Sequence, residues 1–405
     1  METVNPPAVR GNFEAKKDSR RSPNSPDCRA VDLTFVFPCL NEEKSLGECI
    51  TKVRQSLEKA AGLRYEIVVA DNGSTDRSRE IATSLGARVV PVTRRGYGAA
   101  LSGGIEAAEG RYVMFADADN TYLYEHALPL YEATSTADAD MGIASRIKGV
   151  IKPGAMPTLH RYLGTPVLTS LINLFFQGKL SDCNSGFRCL RKTSFQAWAV
   201  RSSGMEFASE LLIKALKHRA QYVEIPSGLN PNPPDRVPHL RTWRDGMRHL
   251  LFIFSERPQM FEWLGLIAVV FATLLQILAV ITGPVNFLGL NIFDLHSQAL
   301  LLLAGLVGTQ FYMYSCMCYL RSSDKPAGIT RWLINMDEGT LFFLLSGVML
   351  AIALVVLSVF VIWAGSSFAG LNLTHTLVAI VHFLSVPLLL CLGLLGLHTL
   401  KRYER

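Results

Sequence analysis

From Leu33 the chain alternates short apolar runs with segments whose apolar residues recur every three or four positions. Residues 33–38 form a first apolar run rich in β-branched and aromatic side chains. Leu46, Ile50, Val53 and Leu57 follow at helical spacing. Runs at 65–70, 89–92, 112–116 and 141–144 read as four further strands. The segments 76–85, 97–109 and 122–133 read as helices between them. Strands separated by one helix each predict βαβ units and a mostly parallel sheet. Such sheets bind ligands beyond the carboxyl ends of their strands. The loops after the first, second and fourth runs are therefore where chemistry is expected.

The pattern then changes. Four apolar stretches, at about 263–283, 299–320, 340–363 and 377–400, contain no Asp, Glu, Lys or Arg. Each has the roughly 20 residues a membrane helix needs. The predicted architecture is an α/β catalytic domain over 31–235, a juxtamembrane interfacial segment over 236–261 and a four-helix transmembrane domain over 262–405. Residues 1–30 show no apolar period and no signal-peptide core, and read as a disordered arm.

Charge sharpens this division. Of 40 Lys and Arg residues in 405, only Arg321, Lys325, Arg331, Lys401, Arg402 and Arg405 lie beyond 261. All six fall in the 321–339 loop or the C-terminal tail. The other two inter-helix loops have none. The positive-inside rule places that loop, the tail and the N-terminal domain on the cytoplasmic side. Asn372-Leu373-Thr374 forms a sequon in an outside loop. The eight cysteines lack metal-ligand spacing and read as inert thiols. Nucleic acid is not an expected partner, because the late basic residues flank apolar helices and no reader motif is present.

Three loops carry acids at strand ends: Pro38-Cys39-Leu40-Asn41-Glu42-Glu43, Asp71-Asn72-Gly73-Ser74-Thr75-Asp76 and Asp117-Ala118-Asp119-Asn120. Carboxylates there suit acceptance from a base and ribose, or retention of a divalent cation against a diphosphate. Asp117 and Asp119 share a face if the strand persists.

These motifs resemble the nucleotide-sugar-binding motifs of family 2 glycosyltransferases with the GT-A fold. The similarity continues through Arg94-Arg95-Gly96-Tyr97-Gly98, Ser145-Arg146, Arg161, Asp182-Cys183-Asn184-Ser185-Gly186-Phe187-Arg188 and Gly204-Met205-Glu206-Phe207. It resembles the polyprenyl-phosphate (dolichol-phosphate-type) mannosyl- and glucosyltransferase branch over about 31–255. The resemblance implies inverting transfer of a hexose from a UDP- or GDP-sugar to polyprenyl phosphate. It implies a nucleotide pocket of Pro38, Asn41, Glu42, Asp71, Gly73 and Ser74, with Asp71 accepting from the base. Asp117 would lie near the ribose and diphosphate, and Asp117 and Asp119 would hold Mg²⁺ or Mn²⁺. Arg146 and Arg161 would grip the acceptor phosphate. Two positions depart from the family pattern: Asn72 where many relatives have Asp, and Thr121 where relatives often have Gln.

Glu206 reads either as a reserve catalytic base or as a helix-start acid. The broad apolar band of 161–178 fits an interfacial helix or a core helix. The basic-aromatic stretch from His239 to Arg244, with Arg248 and His249, fits anionic headgroups. His382, within the fourth apolar stretch, fits a helix–helix hydrogen bond. The lipid bilayer and a second copy of the chain are the remaining expected partners. Two other readings exist: a processive polysaccharide synthase, and a non-catalytic scaffold or lipid-linked-sugar flippase. The first lacks its Gln-x-x-Arg-Trp signature here, and the Asp117/Asp119 pair disfavours the second.

Overall fold

The computed structural model describes residues 9–10, 31–231, 242–287, 290–365 and 374–403. It divides into two compact units, residues 1–253 and 254–405. The stretch His239–Arg241 and the Asn372 sequon lie outside the described residues, as does residues 1–30 apart from 9–10.

The first unit is α/β. Its elements run β1 (Val9–Arg10), β2 (Leu33–Cys39), α1 (Leu46–Leu57), β3 (Tyr65–Asp71), α2 (Ser78–Ser84), β4 (Arg88–Pro91), α3 (Tyr97–Ala107) and β5 (Tyr112–Phe115). They continue with a 3₁₀ turn (Tyr124–His126), α4 (Ala127–Thr136), β6 (Met141–Ser145), a π-helical turn (His160–Gly164) and α5 (Thr165–Phe176). Then come β7 (Arg188–Arg191), α6 (Lys192–Trp198), α7 (Phe207–Lys217), β8 (Tyr222–Pro226) and α8 (Thr242–Ser255).

One sheet has the order β1-β8-β6-β7-β5-β2-β3-β4. The β2–β3, β2–β5, β3–β4 and β6–β8 pairs are parallel, as the alternating pattern predicts. Side chains of β2 alternate between two cores. Leu33, Phe35 and Phe37 pack with α1, whereas Val36 packs with α3, α5 and α7. Burial on both faces explains why β2, β3 and β5 read as near-continuous apolar runs.

Three features differ from expectation. β7 enters antiparallel between β5 and β6. The helix expected from 122 starts at Ala127, because Tyr122 bridges to Leu229 before the 3₁₀ turn. Val9–Arg10 pairs with β8 instead of lying in a structureless arm.

In α8, Ile253 joins the α/β core. His249 is buried and shares a hydrogen bond of 2.8 Å with Ser209 Oγ. It therefore belongs to the first unit's interior, which corrects its assignment to headgroups. Arg244 and Arg248 stay about half exposed, each 3.7 Å from Asp245.

The second unit comprises α9 (Pro258–Thr282), a hairpin of β9 (Val285–Phe287) and β10 (Leu290–Ile292), α10 (Leu295–Tyr319), α11 (Gly328–Asn335), α12 (Glu338–Gly365) and α13 (Thr374–Tyr403). Four of its helices are long and apolar enough to cross a membrane. α9 and α10 approach closely at Gly265 and Gly308, where a Cβ on Gly265 would lie 2.5 Å from Tyr312 N. Small residues at such crossings are the usual device of apolar helix pairs. His382 sits 3.1 Å from Thr273 Oγ1, a helix–helix hydrogen bond between α13 and α9.

Gly104 tests the α3–sheet packing. A Cβ there would lie 2.4 Å from Val36 Cγ1 and 3.0 Å from Ala70 Cβ. Gly104→Val should destabilise the protein by about 1–3 kcal/mol, because overpacking forces strain on a close-packed core. The exposed Glu106→Val on the same helix is the control. Equal thermal unfolding midpoints for both variants and the wild type would refute the packing argument.

Candidate active site

The loops after β2 and β3 are stitched into one surface. Asn41, in a left-handed conformation (φ 58°), donates its N–H to Ser74 Oγ at 3.0 Å. Its side-chain oxygen accepts from Thr75 N at 2.8 Å. Glu42 N donates to Ser78 Oγ at 2.9 Å, and its carboxylate accepts from Ser45 Oγ at 3.1 Å. Pro38 ends this wall in register with Ala70.

Asp71 lies beneath the surface. Its side chain is 1% exposed and accepts from Ser74 N at 2.9 Å and from Arg79 Nε at 2.7 Å. Burial opposes its ionisation, but the Ser74 and Arg79 contacts outweigh it and hold the carboxyl below its usual value. Gly73 has φ 93°, and a Cβ there would meet the Arg95 guanidinium at 2.3 Å. Arg95 Nη1 closes over it by donating to Asn72 O.

The Asn72 departure has a physical reason. Its amide donates to Val92 O at 3.1 Å and Arg94 O at 2.7 Å, and its oxygen accepts from Gly96 N at 2.8 Å. An ionised Asp is acceptor-only and offers nothing to two carbonyls. The amide thus fixes the Arg94–Gly96 turn that leads into α3. Gly98 lets another segment approach that helix, since a Cβ there would lie 2.4 Å from Ser202 O.

β5 ends at Phe115, so Asp117 and Asp119 sit in a loop and not on a strand face. Tyr97 OH donates to Asp117 Oδ1 at 2.8 Å. Burial and the Asp117 charge push the Tyr97 phenol well above its ordinary value, so it stays a donor. Asp119 Oδ1 accepts from Thr121 N at 3.0 Å and Thr121 Oγ1 at 2.6 Å. Thr121 therefore orients Asp119. No cluster of three or more His, Cys, Asp or Glu suited to a metal occurs among the described residues. The pair still fits a hard divalent cation, which takes one or two carboxylates and completes its shell with phosphate oxygens and water.

The 182–188 loop lies against Asp117. A Cβ on Gly186 would be 3.1 Å from Asp117 Oδ2, and Gly186 N donates to Tyr122 OH at 2.6 Å. The same loop carries Asp182, which is fully buried. Arg146 meets it with Nε at 2.8 Å, Nη2 at 2.9 Å and the backbone N at 3.1 Å. Burial opposes both charges, but each partner stabilises the other, so Asp182 titrates low and Arg146 high. Arg188, also fully buried, donates to Cys183 O at 2.7 Å and Ala208 O at 3.0 Å.

Arg161 lies in the π-helical turn, with its guanidinium 5.4 Å from the Tyr162 ring. The turn runs into Thr165, whose hydroxyl accepts from Asn184 Nδ2 at 3.3 Å. α5 turns Leu168, Ile172 and Phe176 into the core and leaves Tyr162, Leu163, Val167 and Leu174 exposed around it. The inner face of α5 thus bears out the core-helix reading of the 161–178 band. Glu206 precedes α7, and its Oε1 accepts from Gly204 N at 3.2 Å, while Oε2 is buried without a hydrogen-bond partner.

In the sequence Tyr97, Asp182 and Arg188 stood only within motifs, and Thr121 only as a departure from the family pattern. Asp182 and Arg188 were visible as the two charges that bracket the uncharged segment 183–187.

Residues 34–198 match the family model described as glycosyl transferase family 2. The chain belongs to this family. Its α/β unit is therefore a glycosyltransferase domain. The low-salt glycan biosynthesis hexosyltransferase Agl6 of Haloferax volcanii is 38% identical, over 56% of this chain and 54% of that protein. A dolichyl-phosphate hexose transferase of Haloferax volcanii is 29% identical, over 48% and 81%. The dolichol-phosphate mannosyltransferase of Pyrococcus furiosus is 30% identical, over 48% and 56%. The alignment thus spans about half the length of the first of these relatives.

Asn72→Asp tests the second loop of this glycosyltransferase. A carboxylate facing Val92 O and Arg94 O should cost about 1–3 kcal/mol. The KM for the sugar donor should rise more than the KM for the acceptor. Unchanged stability and unchanged donor KM would remove the role assigned to the amide.

Proposed function

We propose that the enzyme moves a single hexose from a UDP- or GDP-sugar to polyprenyl phosphate, with inversion, on the cytoplasmic face of a membrane. The observation that best supports this is the joining of two halves at Asp117. One half is the pair of loops after β2 and β3, suited to a nucleotide. The other is the Gly186 loop that holds Arg146, beside the turn bearing Arg161.

The names of the relatives support a lipid-phosphate acceptor. Basic loops and the 321–339 segment support the cytoplasmic side. The exposed face of Tyr162, Leu163, Val167 and Leu174 beside Arg161 suits an enzyme whose acceptor headgroup sits at a bilayer surface.

The chemistry needs little proton transfer. A phosphate monoester has its second pKa at about 6 and is mostly a dianion at neutral pH. Its oxygen attacks the anomeric carbon as the bond to the nucleoside diphosphate breaks on the opposite face. Catalysis then reduces to positioning and leaving-group stabilisation. Asp117 and Asp119 would hold Mg²⁺ or Mn²⁺, which when bound offsets charge on the leaving diphosphate. Tyr97 and Thr121 keep the two carboxylates oriented. Pro38, Asn41, Glu42, Asp71, Gly73 and Ser74 shape the nucleotide pocket. Arg161 pairs with no carboxylate among the described residues and meets the acceptor phosphate. Arg146 supports it from its pair with Asp182. Glu206 serves as a positioning carboxylate, since the acceptor brings its own oxyanion.

The test is a donor panel. Detergent-purified enzyme is incubated with labelled UDP-glucose, GDP-mannose and related donors, Mg²⁺ or Mn²⁺, and polyprenyl phosphate. One labelled hexose should enter the lipid phase from at least one donor, and Asp119→Asn should abolish it. Long polymer, transfer by Asp119→Asn at the wild-type rate, or no transfer from any donor would contradict the proposal.

A further inference from the structure

The second unit holds a feature that the transfer chemistry does not use. The loop between α10 and α12 contains α11, a helix of eight residues. Its inner face is pinned. Thr330 is fully buried, donates to Glu262 Oε1 and lies 3.1 Å from Tyr312 OH. Its last carbonyls are pinned as well. Leu333 O accepts from His398 Nε2 at 3.0 Å, and Ile334 O accepts from Lys401 Nζ at 2.6 Å. Four contacts from α9, α10 and α13 thus fix a short helix that has little stability of its own.

The outer face is different. Ile329 is 60% and Trp332 51% exposed, and Arg331 lies between them in sequence. Beside them is a cavity of about 570 Å³ lined by Arg331, Trp332, Asn335, Asp337 and Thr340, with Gly328 and Met336. Asp337 is committed to the start of α12. Its carboxylate accepts from Thr340 N at 2.9 Å and Thr340 Oγ1 at 2.6 Å. Arg331 is exposed, lines the cavity and forms no ion pair with a carboxylate among the described residues. The cavity therefore brings an exposed guanidinium and an indole together with the Asp337 carboxylate, which is turned to Thr340, on a pinned helix at the basic end of four apolar helices.

We propose that this cavity is a binding site for a lipid phosphate, built from residues that take no part in the transfer chemistry. The proposal rests on the reading that the four apolar helices lie in a bilayer. Guanidinium forks bind phosphate bidentately, and Trp sits at the headgroup level with its ring in the apolar boundary. Basic pockets at the cytoplasmic ends of membrane helices bind anionic headgroups by this chemistry. The phosphate comes either from a bilayer phospholipid or from polyprenyl phosphate, and Asn335 and Thr340 offer polar atoms to the rest of the headgroup.

The test uses the full chain in detergent without donor sugar, so its outcome is independent of hexose transfer. Retention of dioleoyl phosphatidylglycerol, C55 polyprenyl phosphate and dioleoylglycerol is measured by native mass spectrometry. The variants are Arg331→Gln, Trp332→Ala and Lys325→Gln. The phosphate-bearing lipids should bind the wild type and Lys325→Gln alike, and Arg331→Gln about tenfold more weakly. Trp332→Ala should also weaken retention, with unfolding midpoints matching the wild type. Preference for phosphatidylglycerol identifies bulk phospholipid as the source, and preference for polyprenyl phosphate identifies the acceptor lipid. Equal retention by Arg331→Gln and wild type, or equal retention of dioleoylglycerol, would overturn the proposal.

Discussion

The ion pair between Asp182 and Arg146 is the interaction on which the rest of the catalytic unit depends. Two charges removed from water repay their desolvation only when geometry is close to ideal and the remaining polar atoms are met. Here the carboxylate takes two guanidinium bonds and the Arg146 backbone N–H. That arrangement requires the end of β6 and the 182–188 loop to meet at one point. β7 makes this happen. It runs antiparallel between β5 and β6, so its first residue, Arg188, pairs with both Phe115 and Ile143. The loop before it therefore arrives at the carboxyl ends of two strands, where a parallel sheet places its ligands.

The two halves of the site are built differently. The half proposed to take the nucleotide is a set of short loops whose polar atoms satisfy one another: Asn41 with Ser74 and Thr75, Glu42 with Ser78, Asp71 with Ser74 and Arg79. Such mutual satisfaction gives a preformed, rigid surface. The half proposed to take the acceptor is anchored by buried charge and reaches outward through α5 to exposed apolar residues. Asp117 stands between them, held by Tyr97 on one side and faced by Gly186 on the other. A glycosyl donor bound on the first half and a phosphate on the second would meet there.

Much of this was legible in the sequence. Strands β2, β3, β5 and β6 are buried along most of their length, so their apolar runs stood out, and the acids at the strand ends marked the loops. The membrane-length helices followed from stretches without charge. β7 and β8 escaped because each hides charge in a strand. Arg188 and Arg191 are buried in β7, and Glu224 in β8 is buried against Lys148 and Ser181. The roles of Asn72 and Thr121 depend on contacts with residues 92–96 and with Asp119, which a departure from a family pattern does not reveal. α11 was missed because eight residues between membrane helices give no periodic signal, and its position comes from partners on three other helices. His249 looked like a headgroup contact among basic neighbours, but its place on the inner face of α8 turns it towards Ser209.

The most direct measurement is the pair of Michaelis constants for Asp182→Asn, with donor and polyprenyl phosphate varied separately. Removing the carboxylate charge releases Arg146 from its fixed orientation and leaves the nucleotide loops untouched. The account predicts that acceptor KM rises by tenfold or more (about 1.4 kcal/mol) while donor KM stays at the wild-type value, which also reports a folded enzyme. A rise in donor KM with unchanged acceptor KM would contradict it.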